Sequence, residues 1–308
     1  MTPDADPQAP LRASKTFDRT EEDIGNSVLL EHVNLRVPDQ QTATLFYVTG
    51  IGLTREPYVV TGLENMWVNI GPNQLHLGPH GEPQVLRGRI GLVTPDRDRL
   101  LRRLASVRDR LEGTRFAFDE HDRHVEVTCP WGNCFRCHEP DVERFGRIML
   151  GIPYVELDVP IGSADGIVRF YQQALHVEAA VIEEADALTA QVRIGQWQQL
   201  VFRESERPAQ AYDGHHIQIY LNDFSGPHRW LLDRGLISEE SGQYQYRFTD
   251  IIDPNDGRRL FVIEHEVRSM THPLFGRPLV NRNPDQSNRD YVPGHDSLNW
   301  RMPRDESA

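Results

Sequence analysis

Two stretches of the sequence, His32-Val-Asn-Leu-Arg-Val-Pro38 and Tyr154-Val-Glu-Leu-Asp-Val-Pro160, share the same alternation of apolar and polar residues. Such alternation is typical of a β-strand with one buried face. Each stretch is followed by a segment with helical spacing that contains a Phe-Tyr pair, Phe46-Tyr47 in the first half and Phe170-Tyr171 in the second. The chain therefore repeats a strand-helix unit in its two halves.

Further landmarks extend this repeat in the same order and at a nearly constant offset. With the first half given first, they are Val68-Asn-Ile-Gly71 and Val192-Arg-Ile-Gly195, Gln74-Leu75 and Gln199-Leu200, Arg89-Ile-Gly-Leu-Val93 and His216-Ile-Gln-Ile-Tyr220, and Pro130-Trp-Gly132 and Pro254-Asn-Asp-Gly257. Within each half, a strand, a helix and three strands are predicted twice. The sequence thus predicts an α+β fold of four β-α-β-β-β modules, numbered one to four along the chain.

The composition is that of a globular protein that does not bind polyanions in general. The chain has 308 residues, of which 38% are hydrophobic, enough for a packed core. Its 46 acidic and 33 basic residues give a net charge of −13, which argues against a general nucleic-acid binder or a binder of anionic membranes. No apolar run is long enough to span a membrane, and the polar N-terminus does not resemble a secretory signal. We expect a cytoplasmic protein.

Three sequence features resemble the vicinal oxygen chelate superfamily in its two-domain form. They are a first strand reading His32-Val-Asn-Leu-Arg-Val-Pro-Asp39, a helix ending in Phe46-Tyr-Val-Thr-Gly-Ile-Gly-Leu53, and Asp253-Pro-Asn-Asp-Gly257 before the last strand. This superfamily includes glyoxalase I, extradiol dioxygenases, fosfomycin-resistance enzymes and metal-free bleomycin-binding proteins. The resemblance covers about residues 29 to 280 and implies two half-open barrels of two modules each.

The resemblance also implies a division of the chain. We expect a polar N-terminal tail at 1–28, a first glyoxalase-like domain at 29–143, a second at 150–280, and a C-terminal tail at 281–308. Which modules pair to form a barrel is open. Modules one and four can share a barrel, as in gene-fused glyoxalases, or the two modules of each half can pair, as in extradiol dioxygenases.

In the superfamily, metal ligands come from the first and last strands of each module. These positions hold His32 and His76 in module one and His216 and Glu264 in module four; in modules two and three they hold Arg89, Arg136 or His138, Tyr154 and Val201. If modules one and four pair, the resemblance implies one site with three histidines and one carboxylate. The equivalent positions in modules two and three would then form a site that lacks the metal ligands. The site in modules one and four would hold one divalent ion per chain, Fe(II), Mn(II), Ni(II) or Zn(II).

Pairing within each half would give a different ligand set. It would join His216 and Glu264 with module three, where Tyr154 stands in place of the first histidine of the extradiol pattern. An insertion before the last strand also leaves the register of that strand open. The alternative ligands are therefore Glu156, Glu266 and His138. By strand alternation, His215 and His265 should face away from the site, with His215 exposed to solvent.

The residues predicted to contact a substrate are aromatic or cationic. They are Tyr154, Tyr220, Tyr246, Phe248, His272 and Arg277. The last two lie on an arm after the final strand, which either folds over the mouth of the cavity or packs on the outside of the barrel. The expected partner is a small molecule, and self-association into a homo-oligomer is left open. No residue is assigned a catalytic role.

The leading functional hypothesis is a metal-dependent enzyme that acts on a small substrate with adjacent oxygens, foremost an extradiol-type dioxygenase. A glyoxalase-type isomerase or lyase is an alternative. A third hypothesis is a metal-free protein that binds and sequesters a small molecule, because the chelating pattern is absent from modules two and three.

Overall fold

The structure, a computed structural model, describes residues 23–56, 65–79, 81–184, 187–207 and 210–276. Module one contains β1 (Ser27–Arg36), α1 (Gln40–Ala43) continued by a π-helix (Thr44–Ile51), β2 (Thr54–Arg55), β3 (Met66–Ile70) and β4 (Asn73–Gly78). Module two contains β5 (Gly88–Val93), α2 (Arg97–Val107) with a 3₁₀ turn (Asp109–Leu111), β6 (Ala117–His121), β7 (His124–Thr128) and β8 (Cys134–His138). Short helix α3 (Val142–Phe145) then leads into the second half.

The second half repeats the arrangement. Module three contains β9 (Tyr154–Val159), α4 (Ala164–Ala174), β10 (Ala179–Glu184), β11 (Ala187–Gly195) and β12 (Gln198–Glu204). Module four contains β13 (His216–Leu221), α5 (Ser225–Leu232), β14 (Ile237–Gly242), β15 (Gln245–Ile252) and β16 (Arg259–Ser269). The predicted α+β fold of four β-α-β-β-β modules is confirmed. The tails lie outside the described residues, except that 23–28 are described and β1 already begins at Ser27.

The modules pair across the two halves of the chain. One sheet has the strand order β14-β15-β16-β13-β1-β4-β3-β2, and the other has β10-β11-β12-β9-β5-β8-β7-β6. Modules one and four therefore form the first barrel and modules two and three the second, joined by the antiparallel pairs β1–β13 and β5–β9. The divide between 29–143 and 150–280 separates sequence repeats rather than barrels, because each barrel takes one module from each half.

The apolar core lies between the two sheets and includes the helices. Tyr171 of α4 shows this arrangement: its ring contacts Phe202 of the second sheet, with 5.5 Å between centroids, and its hydroxyl donates to Nε2 of His265 in the first sheet at 2.7 Å. Strand residues that face the helices are thus core residues, and their neighbours one position along face a barrel interior. In the described part of the chain, no helix is both long and apolar enough to cross a membrane.

Buried side-chain amides join the two sheets. Gln198 of β12 accepts from the backbone N–H of Leu30 at 3.0 Å and donates to the carbonyls of Leu30 at 3.0 Å and Ile152 at 2.9 Å. Asn73 makes the reciprocal contacts, donating to Leu30 at 2.6 Å and accepting from Ile152 at 2.8 Å. These bonds satisfy buried backbone groups of both barrels and so fix their relative position.

Candidate metal centre

The interior of the first barrel brings together three side chains with metal-ligand chemistry. One donor atom each from His32 on β1, His216 on β13 and Glu266 on β16 lies within 4.8 Å of the other two. The register explains this convergence, because Gln218, two residues after His216, pairs with both His32 and Glu266. Paired residues of neighbouring strands point to the same face. Two imidazoles and one carboxylate therefore share one side of the sheet.

The environment of His32 fits an ion at this position. The side chain is 1% exposed, and its Nε2 has no hydrogen-bond partner among the described residues. A buried imidazole nitrogen without a partner is costly, and coordination would satisfy it. The other nitrogen, Nδ1, lies 3.3 Å from Glu31 Oε2. A carboxylate in that place orients a metal-binding histidine and fixes its tautomer.

The protonation states also fit. Burial lowers the pKa of His32 and lowers that of His216 to about 3, so both rings are neutral at pH 7. Burial alone would raise the pKa of Glu266, but the positive charges of Arg268 and Arg247 help to hold it at about 2. Neutral imidazoles and an ionised carboxylate are the forms that bind metal ions.

Of the two candidate carboxylates on β16, the structure directs Glu266 into the cluster. Glu264 lies beside His216, with 3.3 Å between Oε1 and Nδ1, but its side chain is 23% exposed against 4% for Glu266. Glu264 is ion-paired with Arg247. The sequence pattern predicts Glu264 as the ligand and Glu266 as its alternate, and the geometry favours Glu266. The sequence pattern does not determine the stagger of β16 against β13, on which this choice depends.

His76, the predicted fourth ligand, lies next to the cluster but not in it. Its ring stacks on that of His32 with 3.6 Å between centroids, and on Trp67 with 3.8 Å. Its Nε2 is 3.0 Å from Gln74 Oε1. His76 therefore supports the His32 ring from one side and limits its rotation.

Two arginines that the sequence pattern did not identify as site residues lie on either side of Glu266. The guanidinium of Arg268 lies 2.6 Å from Glu266 Oε1 and 3.1 Å from Glu31 Oε2. Arg247 of β15 is opposite Glu266 and ion-pairs with it. A signal was present in the sequence, because Glu264, Glu266 and Arg268 alternate along one strand and so share a face.

Glu31 was also missed, for a different reason. Strict alternation would turn Glu31 away from the face that His32 occupies. The register of β1 against β13 slips between Leu30 and His32, which marks a bulge at Glu31. Bulges redirect side chains and are common near functional sites. Here the bulge lets two consecutive residues, Glu31 and His32, reach the same site.

Comparison with known proteins gives the fold. No family model and no curated protein matches the sequence. The structure of a candidate dioxygenase from Bacillus subtilis is similar over 86% of this chain and 90% of that one, with a TM-score of 0.56 and 15% identity. Glyoxalase I from Zea mays is similar over 82% of this chain and 96% of that one, with a TM-score of 0.56 and 14% identity. The chain has the vicinal oxygen chelate fold.

In this vicinal oxygen chelate fold, Tyr220 and His272 lie near the cluster of His32, His216 and Glu266. Tyr220 is fully buried, on the same strand as His216 and paired with Arg268. Its ring contacts Phe275 at 4.9 Å and His272 at 6.4 Å between centroids. The described part of the arm after β16, up to residue 276, thus packs against the face of the sheet that carries Tyr220. Arg277 lies outside the described residues.

The other predicted substrate residues lie elsewhere. Phe248 stacks on His265 at 4.3 Å in the core, and Tyr246 packs on Phe224 at 4.9 Å. The side chains of Tyr246 and Phe248 both face the helices, because Arg247, which lies between them on β15, points to the face of the sheet that carries Glu266. His265 does face away from the site as expected, whereas His215 is fully buried rather than exposed, with its Nδ1 2.6 Å from Asp213. The remaining candidates belong to the second barrel: Tyr154, Glu156 and His138.

Proposed function

We propose that this protein is a metal-dependent enzyme of the vicinal oxygen chelate type, with one divalent ion held by His32, His216 and Glu266. The substrate would be a small molecule with two adjacent oxygens, and extradiol-type oxygenation is the activity that the donor set favours. Two histidines and one carboxylate with open positions are the donor set of non-haem Fe(II) oxygenases. The convergence of these three donors within 4.8 Å is the observation that supports the proposal. We expect it to act in the cytoplasm.

When bound, a divalent ion lowers the pKa of a coordinated hydroxyl and polarises a neighbouring oxygen. The side chains around the ion would have distinct roles. Arg268 and Arg247 keep Glu266 ionised. Burial raises the pKa of Tyr220 well above its ordinary value, so its phenol stays protonated and can donate a hydrogen bond to a substrate oxygen.

His272 is suited to binding rather than to proton abstraction. Burial and the charge of Arg268 lower its pKa to about 4, so the ring is neutral at pH 7. Its Nδ1 accepts from the backbone N–H of Leu274 at 3.1 Å, which leaves the proton on Nε2. His272 is therefore a hydrogen-bond donor, and together with Tyr220 it would orient an electron-rich substrate and help to exclude water.

A metal-free binding function is the second candidate. It is favoured by the ion pairs of Glu266 with Arg247 and Arg268, which compensate its charge without a metal ion. The two candidates make opposite predictions for metal content, which separates them directly.

The test is the metal content of protein purified without chelator, followed by calorimetric titration of Fe(II), Mn(II) and Zn(II) under anaerobic conditions. We expect about one ion per chain and a rise in melting temperature on metal addition. His216→Ala and Glu266→Gln should weaken metal binding by about tenfold or more, since direct ligands should matter at least as much as the groups that orient them. His121→Ala, which removes an exposed histidine of the second barrel, is the matched control and should bind as the unmodified protein does.

A metal content near zero, with no stabilisation by any of the three ions, would contradict the enzyme proposal and favour metal-free binding. If an ion binds, oxygen uptake with catechol as the probe tests the dioxygenase assignment. If the same protein instead catalyses isomerisation of the methylglyoxal–glutathione adduct, the result would favour the glyoxalase-type alternative.

A further inference from the structure

The second barrel repeats the strand positions of the metal centre with different side chains. Both barrels are built from the same strand pairs, β13 with β16 in one and β5 with β8 in the other, in matching parallel register. The positions of His32, His216 and Glu266 are occupied in the second barrel by Tyr154, Arg89 and Arg136, respectively. Two guanidinium groups and a phenol thus replace two imidazoles and a carboxylate.

The ion pair beside these positions is also reversed. In the first barrel Arg247 lies opposite Glu266, and in the second Glu126 lies opposite Arg136. The Nε of Arg136 donates to Glu126 Oε1 at 2.8 Å. Where the first barrel presents a carboxylate to its interior, the second therefore presents a guanidinium group. The site has exchanged groups that attract a cation for groups that attract an anion.

A cavity of about 920 Å³ lies over these residues. Among the described residues that line it, the acidic ones are Glu156 and Glu184, whereas six are arginines: Arg89, Arg136, Arg144, Arg193, Arg203 and Arg207. Guanidinium groups thus outnumber carboxylates in the lining, although the net charge of the chain is −13. The rim arginines Arg193, Arg203 and Arg207 are each paired with one carboxylate, that of Glu178, Glu184 and Asp158, respectively. Guanidinium groups bind carboxylates and phosphates through paired N–H donors. A volume of this size suits a metabolite-sized ligand.

The guanidinium groups of Arg89 and Arg136 are held in place by ion pairs but keep N–H donors that these ion pairs do not use. Arg89 lies 3.2 Å from Glu126 Oε1 and 3.1 Å from Glu156 Oε1. The side chains of Arg89 and Arg136 remain 22% and 27% exposed. Because a guanidinium carries five N–H donors, these ion pairs leave others free to meet a ligand. The glutamates hold the arginines in place without consuming their binding capacity.

Tyr154 forms a fixed wall of the cavity. Its hydroxyl is hydrogen-bonded to His138 Nε2 at 2.9 Å. Its ring lies directly over Gly91, where an added Cβ would be 2.5 Å from Tyr154 Cε1. The corresponding position in the first barrel holds Gln218. Gly91 thus makes room for the ring of Tyr154, whereas the first barrel has the smaller ring of His32 beside Gln218. The two interiors therefore differ in shape as well as in charge.

We propose that the second barrel binds a small organic anion that carries two or more carboxylate or phosphate groups. The bound anion contacts Arg136 and Arg89 at the centre of the cavity and the outer arginines at its rim. Binding needs no metal ion, and it does not depend on the metal centre of the first barrel.

The test is isothermal titration calorimetry of the full chain at constant ionic strength. Succinate, inorganic phosphate and fructose 1,6-bisphosphate serve as the probes, and fructose serves as the uncharged control. We expect at least one of the anions to bind saturably, one per chain, and fructose not to bind. Arg136→Gln should weaken that binding by about tenfold or more, as expected for the loss of a charge-assisted pair of hydrogen bonds. Arg102→Gln removes the same charge from an exposed position on α2 and should have no effect.

Two further variants keep the result interpretable. Arg203→Gln changes the rim and leaves the Arg136–Glu126 pair intact, so it should weaken binding even if Arg136→Gln does not fold. His216→Ala disrupts the first barrel's cluster and should leave anion binding unchanged. The proposal is overturned if none of the three anions binds saturably. It is equally overturned if the arginine variants of the cavity bind as tightly as Arg102→Gln, or if His216→Ala abolishes binding.

Discussion

Replacing Gly91 by alanine tests how closely the second barrel is built around Tyr154. An added Cβ would lie 2.5, 2.6 and 2.7 Å from Cε1, Cζ and Cδ1 of the Tyr154 ring. Carbon atoms in contact normally lie about 3.5–4.0 Å apart, so the ring has to move by about 1 Å. The φ of Gly91 is not among the positive values of the chain, and alanine therefore adds no backbone strain. The steric clash is the whole perturbation.

Its magnitude follows from two contributions. Overpacking of a well-packed site by one carbon costs about 1–3 kcal/mol. A moving ring also loses the 2.9 Å hydrogen bond between the Tyr154 hydroxyl and His138, and such a bond contributes about 1 kcal/mol. We expect the free energy of unfolding of Gly91→Ala to be about 2–4 kcal/mol below that of the unmodified protein. The variant should also bind anions more weakly.

Urea denaturation followed by tryptophan fluorescence measures this difference. Gly78→Ala is the matched control, because Gly78 also lies in a strand and no atom of the described residues lies within 4 Å of an added Cβ there. Its stability should change by no more than about 0.5 kcal/mol. Combining Gly91→Ala with Tyr154→Ala should relieve the clash and give a coupling energy of about 1–3 kcal/mol. Equal stability of the two glycine variants, or a coupling energy of zero, would refute the reasoning.

Three other predictions concern stability. Gln198→Ala should cost about 2–3 kcal/mol, because it removes the hydrogen bonds of Gln198 to the buried N–H of Leu30 and the carbonyl of Ile152. Urea denaturation should show no such loss for Gln199→Ala, which changes the exposed neighbour, and equal effects would argue against the amide bridge. Burial lowers the pKa of His138 from 6.5 to about 4, so the stabilising contribution of the neutral ring is complete above pH 6.5 and is lost as the pH falls towards 4. The free energy of unfolding of His138→Gln should therefore fall by about 2 kcal/mol less over that pH range than that of the unmodified protein, and identical pH profiles would contradict this prediction. Asp253→Asn should cost about 1 kcal/mol in thermal unfolding by breaking the pair with Arg169, whose Nη2 lies 2.7 Å from Asp253 Oδ2, and a loss that does not shrink at high salt would point to another cause.

The fold was predictable because the same alternation recurs in four places. His32-Val-Asn-Leu-Arg-Val-Pro38 and its counterpart at 154–160 identify two first strands, and the glycines and prolines between strands identify the breaks. Strand patterns could not decide which modules pair, since either arrangement buries the same apolar faces. The uneven distribution of ligand-type residues favoured modules one and four, and the sheet order agrees with it.

The strands that carry the candidate site were predictable from the sequence, but not all of its residues were. His32 and His216 follow from the first strands of modules one and four, but the choice of Glu266 over Glu264 depends on the stagger of β16 against β13. The bulge at Glu31 has no local sequence signal. Tyr246 and Phe248 were predicted to contact the substrate because they are aromatic, yet residue type does not reveal which face of a strand is buried.

The charges of the two barrels show how the second barrel can lack the donor set of His32, His216 and Glu266 and still keep the same fold. A carboxylate inside a barrel has to be compensated by an ion or a cation, because an unpaired buried charge strongly destabilises a protein. In the first barrel Arg247 already partly compensates Glu266, and in the second Glu126 compensates Arg136. Each sheet thus keeps one carboxylate–guanidinium pair across the same two strand positions, in opposite order. Since the pair is neutral in either order, the order is free to vary, and it determines whether the interior favours a cation or an anion.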